Sequence, residues 1–127
     1  MPSPRRIEKL NVLFREQIAG IVDREVEFGD GALMTITRVA LSPDAHYADV
    51  FISVLGVASA EADALALLEK NVYAIQQEVN RAIRMRPVPK IRFVIDEEER
   101  RREEVERSLG ALKRGGDFSV DDPLKNQ

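Results

Sequence analysis

The residues of this chain best suited to chemistry are cations, and they cluster. From Arg81 to Phe93 the sequence reads Arg-Ala-Ile-Arg-Met-Arg-Pro-Val-Pro-Lys-Ile-Arg-Phe, with five cations (Arg81, Arg84, Arg86, Lys90 and Arg92) and no acid. Such a block suits phosphate groups or an acidic partner, because a cation that neutralises a phosphate releases condensed counterions and gains affinity. Arg5, Arg6 and Lys9 near the start of the chain, and Arg38, extend the candidate set. Each has a plainer reading beside the functional one. Cations at a helix C-terminus complement the dipole, and cations near a chain start are often simply solvated. Arg38 can turn toward a nucleic acid or pair with Asp49 across a hairpin.

Catalytic chemistry is poorly served. There is a single histidine, His46, and no cysteine, which removes a multi-histidine or thiolate metal site and a histidine-based nucleophile dyad. The acids from Asp96 to Glu99 could hold a divalent ion, but they read better as the acidic first turn of a helix. No glycine-rich phosphate loop is present. Neither an enzyme nor a bound cofactor or metal is expected.

Periodicity indicates what positions the cations. Ile7, Leu10, Leu13, Phe14, Ile18, Ile21 and Val22 recur at steps of three and four, which predicts a helix from about Arg5 to Arg24 with Arg5, Arg6 and Lys9 mostly off its apolar stripe. A strand follows from Ala32. Met34 and Ile36 share one parity while Val39 and Leu41 share the other, so a bulge near Thr37 and Arg38 is needed to put both pairs in the core. Ser42-Pro43-Asp44 reads as a turn, and Tyr47 to Leu55 alternates as a half-buried strand antiparallel to the first.

After Gly56, Ser59 is a candidate N-cap, with Glu61 and Asp63 in the first turn. Leu65, Leu68, Val72, Ile75, Val79 and Ile83 continue one apolar stripe as far as the prolines, predicting a helix of about 25 residues or two helices meeting at a kink. Proline lacks the amide donor and restricts its predecessor, so helix should stop near Arg86 and strand begin after Pro89, with Ile91, Phe93 and Ile95 inward. Lys90 and Arg92 take the opposite parity and can join Arg81 and Arg84 in one basic edge. Tyr73 either stacks on a base or packs with its hydroxyl in water. A charged helix begins at Asp96-Glu97-Glu98-Glu99 and ends near Leu112, before Gly115-Gly116.

Two helices on one face of a three-stranded sheet would bury every stripe, an α+β arrangement with a wet outer face. In that frame Thr35-Ile36-Thr37-Arg38-Val39, Leu41-Ser42-Pro43-Asp44, Tyr47-Ala48-Asp49-Val50-Phe51-Ile52-Ser53, and Arg84-Met85-Arg86-Pro87-Val88-Pro89-Lys90-Ile91-Arg92-Phe93 with Asp96 resemble bacterial ribosome-binding factor A. The resemblance covers roughly residues 5 to 112. It implies a type II KH-like fold, α-β-β-α-α-β. It also implies an assembly factor that binds the immature small (30S) ribosomal subunit, contacts its 16S rRNA, assists late maturation including processing of the rRNA 5′ region, and matters most in the cold. Arg5, Arg6, Lys9, Arg38, Arg81, Arg84, Arg86, Lys90 and Arg92 become the candidate RNA-binding residues. The family's usual Ala-x-Gly kink falls at Asn71-Val72-Tyr73, where neither small residue stands, and Gln76 stands where an arginine is frequent.

Residues 1–96 are thus read as the KH-like domain, 97–114 as the charged helix and 115–127 as a disordered tail. The hydrophobic fraction of 44% supports a real core in a 127-residue chain. Residues 1–95 hold 12 basic and 12 acidic side chains and residues 96–127 hold 7 and 10, so the net charge of -3 lies entirely in the last quarter. This permits a second reading, in which the acidic C-terminal helix docks on ribosomal proteins or another factor. No apolar run reaches the roughly 18 residues of a membrane span, and Met-Pro-Ser-Pro-Arg-Arg leads into no signal-peptide core. A soluble cytoplasmic monomer is the expectation.

Overall fold

A computed structural model describes the backbone of residues 3–29 and 32–115, with side chains through residue 110. The expected disordered tail lies, but for Gly115, outside the described residues. The chain forms two compact units, Met1–Asp96 and Glu97–Gln127.

Helix α1 (Pro4–Glu25) starts where Ser3 accepts the Arg6 amide on its hydroxyl at 3.3 Å, with Pro4 preset in the first helical position. Its stripe buries Phe14, Ile18, Ile21 and Val22. Strands β1 (Ala32–Leu41) and β2 (Tyr47–Gly56) pair antiparallel, and the register slips between Ile36 and Arg38. The slip lets Ile36, Val39 and Leu41 all reach the core, as their parity requires. Thr37, the extra residue, uses its hydroxyl to reach the Phe51 carbonyl at 3.3 Å and the Asp96 carboxylate at 2.6 Å.

The β1–β2 turn is held by short polar contacts. Asp44 Oδ1 accepts from the Ser42 hydroxyl at 2.7 Å and from the His46 amide at 3.1 Å, and the Tyr47 amide donates to Ser42 Oγ at 3.0 Å. Ala45 takes a left-handed φ of 61° between them. The Ser42 hydroxyl, and after it the His46 amide, hold the Asp44 carboxyl below its ordinary 3.8. A folded-state pKa below the unfolded one stabilises the fold above about pH 3.8, and that contribution disappears as pH falls through the lower folded value. Asp44→Asn is therefore expected to give a melting temperature less dependent on pH below 4 than the wild type, as thermal melts read by circular dichroism can check.

Helix α2 (Ala60–Lys70) and helix α3 (Val72–Ala82) are separated by Asn71 alone. Asn71 Nδ2 donates to the Leu67 carbonyl at 2.8 Å, while its amide is shared between Leu67 and Leu68 at 3.2 and 3.1 Å. The kink thus forms without alanine or glycine, because an asparagine side chain competes for the carbonyls that a continuing helix would use. Ser59 occupies the N-cap position of α2 but makes no capping bond; its hydroxyl turns to Asp63 at 3.0 Å. Buried Ala60 and Ala64 bring α2 close to the core.

Helix α3 stops at Ala82, four residues before the expected Arg86. Ile83 is extended (φ -98°, ψ 127°), which buries it and leaves Met85 and Val88 against the core. Arg86 donates to the freed carbonyls of Ile83 and Met85 at 3.1 and 2.8 Å. Strand β3 (Lys90–Ile95) then runs parallel to β2, giving the order β1-β2-β3. Central β2 is the most shielded, with Val50 and Ile52 fully buried, each such side chain contributing about 1.5–3 kcal/mol.

In the second unit, α4 (Glu97–Gly115) opens with three glutamates and carries ion pairs Arg100–Glu97 and Arg102–Glu99 one turn apart. Exposed pairs of this kind contribute little stability.

Candidate nucleic-acid interface

The nine predicted cations fall into two groups once their partners are known. Arg81 pairs with Glu78 on the same helix face. Arg92 donates to Asp49 at 2.7 Å and lies over the Tyr47 ring, 4.5 Å from its centroid. Arg38 lies 3.7 Å above the Phe51 ring and 3.7 Å from the Asp96 carboxylate. Of the two readings open for Arg38, the pairing with Asp49 does not form: Asp49 belongs to Arg92, which stands directly opposite it in the β2–β3 register, whereas Arg38 stands opposite Phe51. Arg86 is spent on carbonyls.

Arg5, Arg6, Lys9, Arg84 and Lys90 are exposed and make no ion pair among the described residues. These five hold the charge most available to an external anion, since no internal carboxylate must be displaced first.

The single basic edge becomes two surfaces. Ile91 and Phe93 enter the core beneath the helices, so Lys90 and Arg92 emerge on the opposite, open face of the sheet. Tyr47, Asp49, Phe51 and Arg38 share that face by register. Both guanidinium groups there keep 52% of their side-chain surface exposed, so stacking on aromatic rings orients them without hiding them. Arg84 instead sits beside α1, lining a cavity with Leu10, Leu13 and Gln17. Arg6 precedes Leu10 by four residues and Leu13 by seven, which puts it on the same helix face one turn away.

Tyr73 is 75% exposed on the first turn of α3, so it does not pack as a buried-ring tyrosine would. Gln76, which supplies no charge, has a different role. Its Nε2 donates to the Pro89 carbonyl at 3.2 Å and its Oε1 accepts from the Ile91 amide at 3.0 Å, satisfying the outward side of edge strand β3. Asn11 on α1 does the same for the other edge, accepting from the Leu41 amide at 3.0 Å. Sequence reasoning passed over Asn11 and noted Gln76 only for the charge it lacks; the signal for their edge-strand role was their place beside an apolar stripe.

Sequence and structural comparisons converge on one family. The pattern of Ribosome-binding factor A matches residues 6–109. The chain belongs to the ribosome-binding factor A family. The protein of that name from Natranaerobius thermophilus is 35% identical over 115 residues, covering 91% of this chain and 88% of its own. The crystal structure of ribosome-binding factor A from Thermus thermophilus superposes with a TM-score of 0.59 at 22% identity, over 70% of this chain and 93% of that one. A homology model of the Thermus thermophilus protein, fitted into the cryo-EM map of its complex with 30S, superposes with a TM-score of 0.56 at 22% identity, over 68% and 90% of the two chains. The fold is thus the KH-like α+β fold of this family, with its helix-kink-helix formed here around Asn71. Among the described residues no helix is long and apolar enough to cross a membrane.

Proposed function

We propose that this protein binds the immature small ribosomal subunit, contacts its 16S rRNA through the cations just described, and promotes late maturation, including processing of the rRNA 5′ region, with greatest effect in the cold. Family membership supports the subunit as partner, and the Thermus thermophilus relative is described in complex with 30S. The observation that carries RNA contact is the set of exposed cations that make no ion pair among the described residues, Arg5, Arg6, Lys9, Arg84 and Lys90, in a chain whose net charge is negative. Arg38 and Arg92, held over aromatic rings, and Arg81 and Arg86 complete the candidate set.

The mechanism requires no bond chemistry, cofactor or metal. A protein that binds one conformation of the subunit more tightly than another shifts the balance by that difference in affinity. The expected action is to hold or remodel rRNA as a monomer in the cytoplasm until maturation removes the favoured conformation.

Gradient sedimentation of a cold-grown lysate tests this. The protein is expected in free small-subunit fractions, and a chain ending at Asp96 should remain there. Finding it only in translating ribosomes contradicts the assembly role. Loss of subunit association on removing residues 97–127, with the cations intact, would transfer binding to the acidic C-terminal helix and its protein partners.

A further inference from the structure

The seam between α1 and the chain leaving α3 holds a cavity of about 270 Å³, close to the lower end of the roughly 300–1,000 Å³ typical of small-molecule sites. Leu10, Leu13, Ile83 and Met85 give it apolar walls, Gln17 supplies an amide that can both donate and accept, and Arg84 contributes a guanidinium. No acid lines it. Leu13 remains 45% exposed at the cavity, so apolar surface there is open to a ligand. Arg6 lies about 6 Å along the helix axis from Leu10 on the same face, and neither Arg6 nor Arg84 has an ion-pair partner among the described residues.

The geometry points to a pocket for one unstacked base of single-stranded RNA, with the base between the apolar walls and the flanking phosphates on Arg84 and Arg6. The charge selects an anionic ligand, the amide suits the polar edge of a base, and the apolar walls suit its faces. An acidic peptide satisfies the charge but makes less use of an apolar cleft of this volume with one amide. The pocket lies behind the sheet, separate from the Arg38 and Arg92 surface, and gives the protein a second point of attachment. This inference rests on the RNA-binding reading above.

The test is NMR of the full-length labelled protein titrated with AMP and, separately, with ribose 5-phosphate. AMP is expected to shift the amides of Leu10, Leu13, Gln17, Arg84 and Met85. It should give intermolecular NOEs from adenine protons to the Leu13 and Met85 methyl groups, and bind roughly 5- to 150-fold more tightly than ribose 5-phosphate, as stacking of one base implies. Leu13→Glu should reduce AMP affinity to that of ribose 5-phosphate while the spectrum stays dispersed. The wild-type NOEs decide the question even if that variant folds poorly. Equal affinities for the two ligands, or AMP shifts elsewhere without NOEs to Leu13 and Met85, overturn the pocket. A synthetic Glu/Leu peptide that displaces AMP and binds at least tenfold more tightly also overturns it, assigning the seam to a protein partner. Small-subunit co-sedimentation of the same wild-type preparation is read in parallel: if it persists when the AMP result is negative, the pocket fails alone, and if it is absent, the RNA-binding reading fails on its own measurement.

Discussion

Replacing Arg6, Arg84 and Lys90 together with glutamate is expected to flatten the salt dependence of small-subunit binding by roughly 2 to 3 units of log-log slope, since each lost phosphate contact removes about 0.7 to 0.9. Binding at physiological salt should fall by well over tenfold, because charge reversal adds repulsion to the lost contacts. All three side chains are exposed and unpaired among the described residues, so the melting temperature should be little affected. Titration of labelled protein against purified small subunits from 50 to 300 mM salt gives the slope directly. The paired variant Arg81→Glu with Arg86→Glu should change the slope less, because Arg81 is engaged by Glu78 and Arg86 by the Ile83 and Met85 carbonyls. An unchanged slope in the triple variant would remove the cationic surface from the account of binding.

The second large effect concerns stability. Gln76→Ala should cost about 2 kcal/mol and lower the melting temperature by about 8–16 °C, through lost hydrogen bonds to Pro89 and Ile91 and the exposure of an unpaired edge strand. Gln76→Glu should fall between, keeping an acceptor for the Ile91 amide but losing the donor to Pro89. Arginine, frequent at this place in the family the sequence resembles, donates but cannot accept. Gln76→Arg should therefore add a cation while giving up the bond to Ile91, and is expected to bind small subunits more tightly with a lower melting temperature. Denaturant unfolding separates these variants, and equal stability of wild type and Gln76→Ala would show that water replaces the amide without cost.

These two experiments probe different links between sequence and function. The cations act through a field that reaches solvent, and their effect is on partners. Gln76 acts through two hydrogen bonds of fixed geometry, and its effect is on the strand that carries Lys90 and Arg92. Loosening β3 should also blur the Arg92–Tyr47 stack, because Arg92 lies over that ring only while β3 keeps its register with β2.

Much of the fold follows from the sequence by itself, because it depends on local periodicity. The change of parity between Ile36 and Val39 required a bulge, and the bulge lies between Ile36 and Arg38. The helical stripes of α1, α2 and α3, the Ser42-Pro43-Asp44 turn and the inward parity of Ile91 and Phe93 were legible for the same reason: each is set by side chains within a few residues of one another. The family, too, could be read from the ordered segments along the chain.

What the tertiary structure alone decided involves residues far apart in sequence. The packing of the chain leaving α3 against α1 keeps Arg84 on the helix side while β3 turns Arg92 to the other face, so a sheet separates them although only eight positions divide them in the chain. Asp96, only 5% exposed, takes Thr37 and Arg38 as partners from nearly sixty residues away, leaving Asp49 for Arg92. The exit of the chain from α3 at Ile83 places Arg84 beside Leu13 and creates the seam pocket. A sequence specifies which side chains carry charge, but which carbonyl or carboxylate neutralises each one is a question of distance, and distance is settled only when the elements pack.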